Sequence, residues 1–156
     1  FGTNAAKWPK KITGIKTDPK VQKVSFVYFL HATGWEDNGA PSYKFIIHYD
    51  DNSKAELEMQ SGINSDDWCH DESKLQDKNS VWGWVKKEGA PCGHAGLITT
   101  RWKSPKPNKG IVSIDIESLG TGAIPVIADI TLGDVLLNVD ALQNLTTKWG
   151  VLKGEI

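Results

Sequence analysis

Hydrophobic and polar positions recur along this chain with the period of strands. Residues 24–31 (VSFVYFLH) form an unbroken apolar and aromatic run, as expected of a central strand covered on both faces. Residues 43–49 alternate, with Tyr43, Phe45, Ile47 and Tyr49 on one face and Lys44, Ile46 and His48 on the other. Asp50, Asp51, Asn52 and Ser53 supply turn chemistry. Beyond them Ala55, Leu57 and Met59 alternate with Glu56, Glu58 and Gln60. Together these segments predict a β-hairpin with one wet face.

Residues 97–102 (LITTRW) predict another strand. Residues 111–118 (IVSIDIES) predict one with Val112, Ile114 and Ile116 inward and Ser113, Asp115 and Glu117 outward. Residues 125–132 (PVIADITL) predict a third, entered through Gly120-Thr121-Gly122. Residues 134–145 (DVLLNVDALQNL) fit a short helix or one more strand, Asn138 and Val139 weakening the helical option. Between Asn64 and Gly96 lies a long stretch of little periodicity that holds Trp68, Trp82, Trp84, both cysteines and two histidines. Long loops inside compact domains are usually functional or locally structured. Short strands with turn signals and no βαβ rhythm point to an all-β, antiparallel sandwich or jelly roll. The expected organisation is one domain over residues 1–156, its core at about 12–132 and a C-terminal extension over 133–156.

Composition narrows the function. A net charge of −1 excludes the broad basic field that drives non-specific nucleic-acid binding. No stretch approaches the apolar length of a transmembrane helix, so no membrane partner is expected. The chain starts at Phe1 without Met or an apolar leader, which reads as a processed or excised start. A mature secreted protein, or a piece of a larger one, is expected. Seven Trp is a surplus for this length, and an indole is hard to hide because its N–H wants a partner. Such a surplus favours a binding surface.

Asp115 and Glu117 share a strand face about 7 Å apart. That spacing would suit a catalytic carboxylate pair, but it is equally natural for a solvated face. Asp66 and Asp67 precede Trp68 in a polar segment that suits hydrogen bonding to a sugar or a calcium role. Cys69-His70 and Cys92-Gly93-His94 match no common zinc spacing and no haem-attachment motif. A single Cys69–Cys92 disulfide is the simplest reading of two cysteines in a secreted chain, with free thiols and a metal site as the alternatives. Cys69 and His70 are adjacent, and neighbours on an extended strand point opposite ways, which argues against a nucleophile–base dyad. Trp35 follows the central strand in a Gly-rich loop, Trp68 lies in SDDWCH, and Trp82 and Trp84 lie in VWGWV. Exposed indoles stack on pyranose rings while nearby polar groups bond the hydroxyls. Trp102 and Trp149 read more naturally as packing residues. His31 ends the central strand and His48 lies on the polar hairpin face; either could bond a ligand or be a structural residue. The basic, Pro-stiffened residues 103–109 (KSPKPNK) read as a strand connection that could also meet an anion.

The ordered set VYFLHATGW, YKFIIHYDDNS, SGINSDDW and RWKSPKPNKGIVSIDIESLGTGAIPVIADIT resembles a bacterial domain that accompanies secreted polysaccharide-degrading enzymes. The resemblance covers roughly residues 12–132, within the size of a single domain. Such domains look like galactose-binding-type jelly rolls, which implies a non-catalytic, carbohydrate-binding-module-like role. Carbohydrate-binding jelly rolls often hold a structural calcium, whose ligands come largely from backbone carbonyls and are not placed by sequence. Two departures stand out: Ser104 replaces a common Asn, and Cys69 replaces a second Trp often found after Trp68, removing one aromatic platform.

The resulting expectation is a secreted, periplasmic or cell-surface module, not an enzyme. It would bind a polysaccharide through Trp35 and Trp68, with His31, Asp67 and Trp84 beside them, and would need no cofactor for that. Weak binding of this kind raises the local concentration of an attached or partner enzyme. The rival is a structural module whose Trp-rich face packs on a larger protein or sister subunit. A small hydrolase using Asp115, Glu117 or the Cys/His segment is the third reading.

Overall fold

The computed structural model describes residues 9–17, 22–35, 39–69, 74–90 and 92–134. Nine strands follow one another, with no helix among the described residues: β1 (Lys11–Lys16), β2 (Gln22–Lys23), β3 (Phe26–Gly34), β4 (Pro41–Tyr49), β5 (Lys54–Gln60), β6 (Ser80–Ala90), β7 (Gly93–Lys103), β8 (Gly110–Ser118) and β9 (Ile124–Gly133). They build two antiparallel sheets, one in the order β1-β8-β4-β5 with β2 also on β8, the other β6-β7-β3-β9. The protein is an all-β sandwich. Its hairpins β4–β5 and β6–β7 stay within a sheet, whereas β2–β3, β3–β4, β5–β6, β7–β8 and β8–β9 cross between sheets.

Period-2 patterning explains the interior. Tyr43, Phe45, Ile47 and Tyr49 of β4 and Met59 of β5 face Val27 and Phe29 of β3, and Phe29 stacks on Phe45 at 3.9 Å between centroids. The predicted hairpin forms with its Asp50–Ser53 turn, where Asn52 takes φ 62° and Asp51 accepts the Ser53 amide at 3.1 Å. Trp102 packs against this core, as its position predicted.

Three expectations change. The central strand starts at Phe26 and runs on to Gly34, paired with both β7 and β9. The stretch read as aperiodic contains β6 and the start of β7. A bulge between Trp82 and Trp84 breaks the alternation of β6, and most residues from Trp84 to Gly89 lie in solvent, so neither face shows an apolar repeat. In β8 the core position falls to Ile111 and not to Val112, because the ladder with β4 slips between His48 and Tyr49. The segment 134–145, beyond Asp134, lies outside the described residues, as does Trp149.

A polar path crosses this interior. Tyr43 lies 2.6 Å from His31 Nδ1, and His31 Nε2 lies 2.9 Å from Thr100 Oγ1. Thr100 donates its only hydroxyl proton to the Asn64 carbonyl at 3.1 Å. The His31 Nε2–H must therefore donate to Thr100, leaving Nδ1 to accept from Tyr43. Ser80 Oγ continues the path, 2.8 Å from Thr100 and 3.2 Å from Asp77 Oδ2. Burial lowers the His31 pKa from an ordinary 6.5 to about 3 and pushes the Tyr43 phenol up.

Because His31 stays neutral when folded but binds a proton near pH 6.5 when unfolded, stability is full above that pH and declines below it. Between pH 6.5 and 5 the linkage relation gives a loss of about 2 kcal/mol. Chemical denaturation across this window, where ordinary carboxylates remain ionised, should show a slope in the wild type that His31→Gln flattens.

Candidate functional site

The sandwich end where β3 finishes is built by an insertion. The antiparallel pairing of β3 with β7 stops at His31 and Ile98, and residues 66–68 enter the gap beyond. Thr33 donates its amide to the Asp66 carbonyl at 2.9 Å, and Trp68 donates to the Thr33 carbonyl at 2.7 Å. On the far side Gly96 donates to the Trp68 carbonyl at 2.7 Å. The main chain of Trp68 is thus held from both flanks, as in a short parallel strand.

Trp35 follows the last residue of β3 with φ 55°, in the left-handed region that bulky L-residues avoid. It is 71% exposed. Asp67 joins it to the inserted segment: Oδ2 accepts the Trp35 amide at 2.7 Å and Oδ1 accepts the Cys69 amide at 2.8 Å.

Residues opposed in a bridge point the same way, and successive residues alternate. Thr33 shares the inward face of Val27 and Phe29, so Trp68, one step past Asp67, lies on the outer face with Gly34. There the indole rests against the glycine, its Nε1 3.6 Å from where a Cβ at Gly34 would sit. The β6 bulge separates its two indoles. Trp82 opposes Ile98 and packs inward with Leu75, whereas Trp84 opposes Leu97 on the outer face and is 41% exposed. Trp68 is 36% exposed. Val126 of β9, opposite Ala32, adds exposed apolar surface on the same side. Sequence reading named Trp35, Trp68 and Trp84 but not the outer sheet face that Trp68 and Trp84 share, nor the parts of Gly34 and Leu97 in it.

The other candidates fall elsewhere. His31 is fully buried with both ring nitrogens engaged, so it has no surface to offer a ligand and leaves the binding set. Its place at the end of an apolar run suggested a strand end, but β3 continues past it. Asp115 and Glu117 lie on the outer face of the other sheet, each 3.4 Å from Lys11 Nζ. Asp115 also meets His48 Nε2 at 3.1 Å and accepts the Gly14 amide at 2.8 Å. Burial raises its pKa, but Gly14, His48 and Lys11 outweigh that and hold the carboxyl below its ordinary value. Asp115 is thus held in its ionised form by Lys11, His48 and the Gly14 amide, and Glu117 shares the Lys11 ammonium with it. Among residues 103–109, Lys106 lies over the Tyr49 ring at 5.5 Å and Lys109 pairs with Asp51 at 3.2 Å, so two of its cations have partners within the fold.

Cys69 and Cys92 form a disulfide, with Cα atoms 5.8 Å apart, tying the inserted segment to the β6–β7 hairpin. With both sulfurs bonded to each other, neither a zinc site nor a thiol nucleophile is made from them, and His70 lies outside the described residues. Among the described residues no group of three or more His, Cys, Asp or Glu is placed to hold a metal ion. No family model matches this chain, and no curated protein or solved structure matches it either.

A Cβ at Gly96 would stand 2.7 Å from the Trp82 ring and 3.1 Å from the Trp84 carbonyl. Gly96→Ala should therefore displace the bulge and cost about 1–3 kcal/mol in urea denaturation, as overpacking does. Gly34→Ala, which meets only ordinary contact distances, should be tolerated.

Proposed function

We propose that this chain is a non-catalytic carbohydrate-binding module of jelly-roll type, secreted or displayed at the cell surface, that holds an attached or partner enzyme on a polysaccharide. The observation that carries the reading is the placement of Trp35, Trp68 and Trp84, the exposed tryptophans among the described residues, along one side and end of a single sheet. Indoles so placed offer flat apolar faces to pyranose rings, and an open sheet face accepts a chain better than a lone monosaccharide. The strained, solvent-facing Trp35 supports the same reading, since backbone strain of this kind clusters at ligand-binding positions. Stacking needs no cofactor, and a structural calcium remains part of the proposal through the resemblance to calcium-bearing jelly rolls.

The second reading, an interaction module that packs on a larger protein or sister subunit, draws on Val126, whose exposed aliphatic surface beside the indoles suits a protein partner as well as a sugar. A glycan array of the purified chain, with calcium and then with chelator, separates the two. Hits lost in Trp35→Ala and Trp68→Ala establish the module. A blank array from folded protein, with an oligomer in light scattering, moves the assignment to the interface.

Trp35→Gly gives a sharper outcome. Glycine adopts the left-handed conformation freely, so this variant should be up to about 1 kcal/mol more stable than wild type in urea denaturation while binding no glycan. A destabilised variant would mean that Trp35 serves the fold.

A further inference from the structure

We infer that Asp67 is a positioning residue: its carboxylate fixes the Trp35 and Trp68 indoles as one unit and does not itself bond the ligand. The inference rests on reading those indoles as a glycan platform, and it assigns Asp67 a different role from the sugar-bonding one that its place beside Trp68 first implied.

The Trp35 amide has no ladder partner, because β3 ends one residue earlier at Gly34. With most of its indole in solvent, Trp35 has little packing to hold it, and its backbone is in a conformation that its side chain disfavours. The 2.7 Å bond from its amide to Asp67 Oδ2 is what ties it to the rest of the site. The other oxygen takes the Cys69 amide, immediately after Trp68. One carboxylate thus bridges two segments 32 residues apart and sits between the residues that carry the indoles. Hydrogen bonds to an ionised acceptor are about twice as strong as neutral ones, which makes a carboxylate the fitting group for two adjacent amides. Asparagine is nearly the same shape but cannot do this. Its amide nitrogen would turn N–H against N–H at one of the two contacts.

The test uses Asp67→Asn in the full chain, with Asp67→Ser, which keeps one acceptor, as a second variant should the first fold poorly. Without any glycan, amide hydrogen exchange at Trp35 and Cys69 should accelerate, while amides in the centre of β3 and β4 keep their protection. Affinity electrophoresis against soluble xylan, mixed-linkage β-glucan and galactan then reads binding, and about a tenfold loss is expected in the polysaccharide that retards wild type. Because Asp67 acts through the Trp35 and Cys69 amides, loss of binding and loss of amide protection should appear together in this variant. A tenfold loss with exchange unchanged at both amides would show that Asp67 contacts sugar directly and would overturn the inference, as would faster exchange at both amides with binding unchanged. If none of the three polysaccharides retards wild type, the glycan reading loses its support. The clamp is then judged from exchange and from the indole Nε1–H resonances, which should shift for Trp35 and Trp68 together in Asp67→Asn.

Discussion

His31 joins the two sheets, and the arrangement of everything at its end of the sandwich depends on how its ring is satisfied. An imidazole with no access to water needs a partner on each nitrogen, because a buried polar group without one costs more than its hydrogen bond returns. Tyr43 supplies one from β4 in the first sheet, and Thr100 supplies the other from β7 in the second. Slipping either sheet by one residue would carry the needed hydroxyl to the opposite face. Thr100 then turns its own proton to the Asn64 carbonyl, just before the segment that enters the gap between β3 and β7. Interior polarity and surface indoles are linked in this way. The position of Trp68 follows from a chain of bonds that begins at a residue no ligand reaches.

The hairpin over residues 43–60 was legible because one of its faces is core and the other mostly polar, although Ile46 on that second face is also buried. β8 was legible for the same reason, except at Val112, where a slip in the ladder moves the core position to Ile111. β6 was hidden because a bulge sends Trp82 and Trp84 to opposite faces and because its outer half is wet on both sides. The bridge between Thr33 and Asp67 was hidden for another reason: a pairing of one residue leaves no period to detect. His31 misled because burial and strand-end exposure look alike in an apolar run. The disulfide was accessible to simple counting, and the exposed indoles to their neighbours in loops. What sequence lacked was the sheet face that Trp68 and Trp84 share, with Trp35 at its end.

The two outer faces of the sandwich differ in kind. That of β1, β8, β4 and β5 carries Lys11 with Asp115 and Glu117, and Lys44 with Lys54 around Glu56. Exposed pairs of this sort add little stability, and their effect is to keep the face hydrated. That of β6, β7, β3 and β9 carries Trp68 and Trp84. Aspartate serves in both, and its neighbours decide the role: Asp115 is held by a lysine and a histidine, Asp67 by two main-chain amides.

The Cys69–Cys92 bridge closes a ring around the 23-residue span that contains all of β6. Closing a ring of that size removes roughly 3 kcal/mol worth of freedom from the unfolded chain in the chain-entropy account. It also changes what a cut does. A protease that severs the chain anywhere between the two cysteines leaves a single covalent molecule, in which the residue next to Trp68 is still fastened to the hairpin. Cleavage there is a nick, and the strand that bears Trp84 cannot drift away from the segment that bears Trp68.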